Sequence, residues 1–255
     1  MKYMPKPILA IASMTCCEGC QVEILNLGKR LLDLFQVFDL GNFAWAEEKR
    51  ERPHYEIALV EGTPLTEEDV KYLKELRKKS KILVAIGTCA HLGGVQEIKN
   101  YAEKNKDEKV KYVYPKYQRI QNPTVVPLWK VVKVDYTVPG CPINQDEFYR
   151  VISDIAFGRE PRIPLRPVCF ECQTQGYECL LQKGEPCMGP ITQGGCKAIC
   201  LRSKRFCYGC RGPLAGAGPQ ITKHLKNLEK LVGKKYLREI METYGAEDDF
   251  LRIEK

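Results

Sequence analysis

A doubly wound α/β domain with a parallel sheet, followed by a small irregular cysteine-rich module, is the architecture this sequence predicts. Three observations carry the prediction. Short apolar runs recur at 6–13, 55–60 and 81–86 with helical patterns between them, and strands that are apolar throughout belong to parallel sheets covered on both faces. Cysteine is abundant, thirteen in 255 residues, and eight of the thirteen crowd into residues 169–210. That stretch holds Gly and Pro but little apolar periodicity, so hydrophobic burial of its own residues cannot order it.

In chain order, KPILAIAS (6–13) reads as a buried strand running into a loop with Cys17 and Cys20, and a helical pattern follows from Val22 to Leu34. YEIALV (55–60) is a second strand; Thr66 then opens a helix through Lys79, with Asp69 three residues on in a capping-box arrangement. KILVAI (81–86) and Tyr136–Val138 are further strands, and this alternation fits a flavodoxin-like fold. Lys104 to Lys111 reads as a solvated loop. The Pro- and Arg-rich connector GREPRIPLRPVC (158–169) ends the periodic pattern. A boundary near Pro161 gives a first domain of 1–160 and a second of 161–255. The tail from Gln220 to Phe250 carries leucines at helical spacing, Leu225, Leu228, Leu231 and Leu237, as a docking or core-covering helix does.

Twelve cysteines sort into three sets of four. Cys17, Cys20, Cys89 and Cys141 lie in loops that follow strands, where doubly wound sheets collect ligands. Glycines at 19, 87, 93, 94 and 140 let backbone approach closely there, and Pro142 fixes the turn after Cys141. Taken singly, Cys89 and Cys141 read as ordinary buried cysteines; their place in Gly-rich loops at strand ends favours metal. The second set is Cys169, Cys172, Cys179 and Cys187, and the third Cys196, Cys200, Cys207 and Cys210. Cys16 is left over, a spare thiol or an alternative ligand.

Disulfides, zinc and iron-sulfur clusters are the devices that order such a segment. The sequence opens Met-Lys-Tyr-Met-Pro with no signal-peptide pattern, and no run approaches the roughly eighteen apolar residues of a membrane span. A cytoplasmic location follows as the expectation, and there thiols stay reduced or bind metal. A charged content of 28%, rich in Lys and Glu, suits a hyperthermophile. The formal charge of +8 counts every cysteine as neutral. If clusters form, three 4Fe-4S clusters, each about −2 with its thiolates, would bring it to roughly +2, and the basic excess largely disappears.

With these motifs in view, the chain resembles the small, electron-transferring subunit of cytosolic archaeal-type nickel-iron hydrogenases over nearly its whole length. The resemblance implies a proximal 4Fe-4S cluster on Cys17, Cys20, Cys89 and Cys141, matching the family's CxxC, GTC and PGCP motifs. It implies a distal 4Fe-4S cluster on Cys169, Cys172, Cys179 and Cys187, with Cys169 standing where many members have histidine. It implies a medial cluster on Cys196, Cys200, Cys207 and Cys210. Many members offer three cysteines and a proline at the medial site, so four cysteines predict 4Fe-4S in place of 3Fe-4S, at a lower potential. The partners implied are a nickel-iron large subunit and a flavin/NAD(P)-binding or further iron-sulfur subunit, with no catalytic centre in this chain. No nucleotide-binding GxGxxG or Walker loop is present.

A related non-hydrogenase relay, quinone-reductase-like or nickel-free, is the alternative, with Cys16-Cys17 resembling its tandem cysteines; eight further cysteines argue against it. A zinc-bearing nucleic-acid binder lacks its recognition helix. His91 and His54 read as packing or surface residues, and Glu18 and Glu23 as caps or solvated groups.

Overall fold

A computed structural model describes residues 6–45, 52–101 and 124–252 of the chain. Lys104 to Lys111 lies outside them.

Five parallel strands form one sheet in the order β2-β1-β3-β4-β5: β1 Ile8–Ser13, β2 Asp39–Phe43, β3 Tyr55–Glu61, β4 Ser80–Ile86 and β5 Tyr136–Val138. This is the flavodoxin-like order, whose switch point lies between β1 and β3. The register sets Ala10 beside Ala58 and Ile57 beside Ile82. Successive residues point to opposite faces, and both faces are apolar. Leu9, Ile11, Leu59 and Ile86 pack with Ile24, Leu34, Phe148 and Ile152 on one side; Ala10, Val60, Leu83 and Ala85 pack with Leu73, Leu76 and Leu128 on the other.

The helix α3, Glu67–Lys79, starts as the sequence predicts: Thr66 Oγ1 accepts the Asp69 N–H at 3.1 Å, and the Asp69 carboxylate accepts the Thr66 N–H at 2.9 Å. The helix expected from Val22 to Leu34 is two: α1, Gly19–Leu25, and α2, Lys29–Val37. Gly28 between them has φ 59° and ψ −121°, a backbone state open to glycine that ends the helical ladder. The expected single tail helix is three, Gly218–Val232, Lys234–Glu242 and Glu247–Leu251, broken at Gly233 and Gly245, both with positive φ.

Those tail helices supply what the cysteine-rich stretch lacks. Ile221, Leu225, Leu228, Leu237, Ile240 and Phe250 pack in one core with Val168, Leu180, Met188, Ile191 and Leu201. Burying each such side chain contributes about 1.5–3 kcal/mol. The cysteine segment is thus covered by apolar residues that follow it in the chain. Among the described residues no helix is long and apolar enough to cross a membrane.

Candidate functional site

The loop after β1 carries Cys16 and Cys17 and enters α1 at Gly19, so that Cys20 lies in its first turn. Its anchor is Glu61, the last residue of β3 and only 1% exposed. The Glu61 carboxylate accepts the N–H of Cys20 at 3.1 Å and of Gln21 at 3.2 Å. Cys89 lies in α4, Gly87–Leu92, directly after β4. Cys141 follows β5 in a turn whose Cys141–Pro142 bond is cis.

Two glycines are required here. A Cβ on Gly87, at φ 81°, would overlap the Cys20 sulfur, and one on Gly94, at φ 70°, would lie 2.6 Å from the Cys89 sulfur. Burial pushes Cys89 up to about 11, with Cys141 and Cys17 adding to the shift and a hydrogen bond from the Gln96 side chain opposing it. Burial, with Glu61 next in weight, likewise raises Cys20, and lifts Cys16 to about 12. Such thiols keep their protons until a cation compensates the thiolate charge.

The second set closes on one cavity. Cys169 and Cys172 share the helix Val168–Thr174, Cys179 caps the turn Leu180–Lys183, and Cys187 precedes Gly189. All four border the cavity with Leu180, Leu181, Gly189, Pro190 and Leu201. Burial raises Cys169, with Cys172 and Cys179 adding to it. The Cys187 sulfur accepts the Cys207 N–H at 3.4 Å, and the His224 ring lies 2.8 Å from the Cys187 carbonyl.

In the third set Cys200 lies in the short helix Ile199–Arg202, and Cys207 and Cys210 in the following turns. Burial, then Cys196, lifts Cys210 to about 12; burial, then Cys187 and Cys210, raises Cys207. Among the described residues no three Cys, His, Asp or Glu side chains converge as on a single ion.

Successive sets touch. Thr88, beside Cys89, donates its hydroxyl to the Cys210 carbonyl at 2.6 Å. Arg211 donates to Pro139 O, and the Cys207 N–H reaches Cys187 as above. The order in space is therefore first, third, second.

Glu61, Gln96, Thr88, Arg211 and His224 were not singled out by the sequence. Only Glu61 left a trace there, a carboxylate ending an apolar strand. His91 is half-buried and held well below its usual range, near 4, by loss of solvent around its ring and by Arg211; it is a neutral packing residue. His54 is exposed, 3.6 Å from Glu56. Glu18 accepts from Ser13 and Glu23 from Gln145.

Residues 17–155 match the family described as NADH ubiquinone oxidoreductase, 20 Kd subunit. The sulfhydrogenase 2 subunit delta of Pyrococcus furiosus is 40% identical over 209 residues, spanning 80% of this chain and 86% of that relative. A subunit of the F420-non-reducing hydrogenase of Methanocaldococcus jannaschii is 31% identical, spanning 77% of this chain and 78% of its own length. Among solved structures, a chain of an NAD+-reducing [NiFe]-hydrogenase in the H2-reduced state is 28% identical, with a TM-score of 0.55 over 62% of this chain and 96% of that one. A chain of the actinobacterial-type NiFe-hydrogenase from Ralstonia eutropha, at 17% identity and a TM-score of 0.59, covers 91% of this chain and 92% of its own, a likeness of fold.

Proposed function

This chain belongs to the nickel-iron hydrogenase small subunits, electron-transfer subunits of an oxidoreductase, and we propose that it relays electrons through three 4Fe-4S clusters between a nickel-iron large subunit and a flavin/NAD(P)-type or ferredoxin-type partner. The single observation that carries this reading is the contact between successive cysteine sets, Thr88 beside Cys89 to Cys210 and Cys207 to Cys187. Rigid neighbours in series are what a relay of single electrons requires.

The residues suit the group. Four cysteines bordering one cavity with apolar neighbours fit a multi-iron cage. Cys17, Cys20, Cys89 and Cys141 would hold the proximal cluster, Cys196, Cys200, Cys207 and Cys210 the medial, and Cys169, Cys172, Cys179 and Cys187 the distal. Bound there, iron-sulfur clusters supply reversible one-electron storage. The chain's own part is to hold the thiolates, exclude water and direct N–H groups at sulfur, as Cys207 does at Cys187. Such bonds favour the more negative state.

Cys17 and Cys141 are exposed. Close by, a cleft lined by Cys141, Pro142, Cys196 and Ile199 opens to solvent. Ile199 is 52% exposed there. An oxygen-sensitive group at the first set needs a cover, and this surface suits the large subunit. The proposed division is a proximal-cluster domain of 1–160 and a two-cluster domain of 161–255, and the proposed location is cytoplasmic.

The test is an anaerobic purification of the native complex with iron, sulfide, zinc and nickel counted against protein. About twelve irons per copy of this chain, beyond those of its partners, with nickel in the copurifying large subunit support the relay. The same iron without nickel points to a related nickel-free enzyme, and zinc without sulfide overturns the reading.

A further inference from the structure

Arg211 is the largest fully buried side chain among the described residues, 1% exposed. It follows Cys210 directly. Its Nε donates to the carbonyls of Gln193 and Gly194, both at 3.0 Å, and its Nη2 to Gly194 O at 2.7 Å, so it holds the turn that delivers Cys196. Its Nη1 donates to Pro139 O at 2.5 Å, two residues before Cys141. Its Nη2 also meets Glu147 Oε1 at 2.8 Å; Glu147 is 4% exposed, and its Oε2 has no hydrogen-bond partner. One guanidinium thus joins the first cysteine set to the third, and its charge lies where the two meet.

Stability alone does not explain a charge in this place. Buried ion pairs contribute little net stability over apolar residues of similar size, and an arginine cannot shed its proton to escape desolvation. An electron arriving at the medial site adds negative charge to four thiolates and their irons. A fixed cation beside them favours that state, and low polarizability around it lengthens its reach. The same field favours the Cys196 thiolate.

We propose that Arg211, restrained by its counter-ion Glu147, is a tuning residue that sets how readily the medial site accepts an electron from the proximal one. One electron leaves the proximal group and one arrives at the medial group, with no proton transfer, because Arg211 stays charged throughout. The inference rests on the three-cluster reading given above.

The experiment is a redox titration of the intact complex, followed by electron paramagnetic resonance, for the wild type, Glu147→Gln and Arg211→Lys. Glu147→Gln keeps an acceptor for Arg211 and removes the counter-charge, so the medial site should become at least tenfold easier to reduce, a rise of about 59 mV for one electron. The distal site should stay within a third of that. Arg211→Lys retains the charge and should leave the medial equilibrium within tenfold of wild type. An unmoved medial potential in Glu147→Gln overturns the proposal, as does an equal shift at the distal site. Loss of iron from Glu147→Gln also overturns it, in favour of a structural role. A larger shift in Arg211→Lys overturns it too, since the fork and not the charge would then matter. A wild-type complex without a four-iron medial signal instead removes the three-cluster reading before any variant is compared.

Discussion

The backbone N–H of Cys207 points at the sulfur of Cys187, 3.4 Å away, although twenty residues separate them. One belongs to the medial set and the other to the distal set, so two proposed cluster sites share a hydrogen bond. Such a bond can be altered at one end only by disturbing the other, and this couples the two ligand loops.

Removing one thiol tests the ligand grouping. Cys179 borders the same cavity as Cys169, Cys172 and Cys187. In Cys179→Ala the distal cluster should be lost or degraded while the others persist, lowering iron from about twelve toward about eight per chain. Iron and sulfide analysis checks the number. Loss of a proximal signal instead would show that the sets are drawn wrongly.

Glu61 satisfies two buried N–H groups, those of Cys20 and Gln21. Glu61→Ala leaves both unpaired at about 1–3 kcal/mol each, so roughly 2–6 kcal/mol of stability should go. Glu61→Gln keeps one of the two acceptor oxygens and should lose about half of that. Thermal unfolding of the two variants side by side decides, and equal losses would mean that charge rather than pairing holds the loop.

What was legible in the sequence follows a physical rule. Residues whose role comes from local pattern stood out: the strands at 6–13, 55–60 and 81–86, and the Thr66–Asp69 cap. Elements that depend on distant packing did not. β2, DLGNF, is poor in strand formers, and its pairing comes from lying along β1. The Gln145–Ala156 helix was not named, although Asn144 caps it by accepting from Asp146 and Glu147. Arg211 is meaningful only through Glu147, 64 residues away, and the Thr88 hydroxyl only through Cys210. Helix ends at Gly28 and Gly233 were visible as glycines, but a glycine does not announce its backbone angles.

Thr66→Ala removes half of a capping box and should cost about 1 kcal/mol, the usual loss for such a cap. Denaturant titration at fixed slope measures it. A change in slope would mean that the unfolded state had moved instead.

A pH effect is expected from Glu97, which is 4% exposed and whose carboxyl burial raises to about 7, with Asp249 and Asp248 adding and Lys130 opposing. The folded chain therefore holds a proton that the unfolded chain releases near pH 4.5. That contribution is full below pH 4.5 and is lost as pH rises through 7, at up to about 1.4 kcal/mol per pH unit. Glu97→Gln should flatten this part of the stability–pH curve; an unchanged slope would assign the effect to another group.

Three clusters acting in series are what the proposed relay requires above all. The most direct measurement is a stepwise reductive titration of the anaerobically purified complex, read by electron paramagnetic resonance with iron and sulfide counted on the same sample. Three separate four-iron signals assigned to this chain, each lost on substitution of a cysteine from its own set, are the predicted result. Fewer than three such signals at full iron loading, or a signal that vanishes on substitution in a different set, would contradict it.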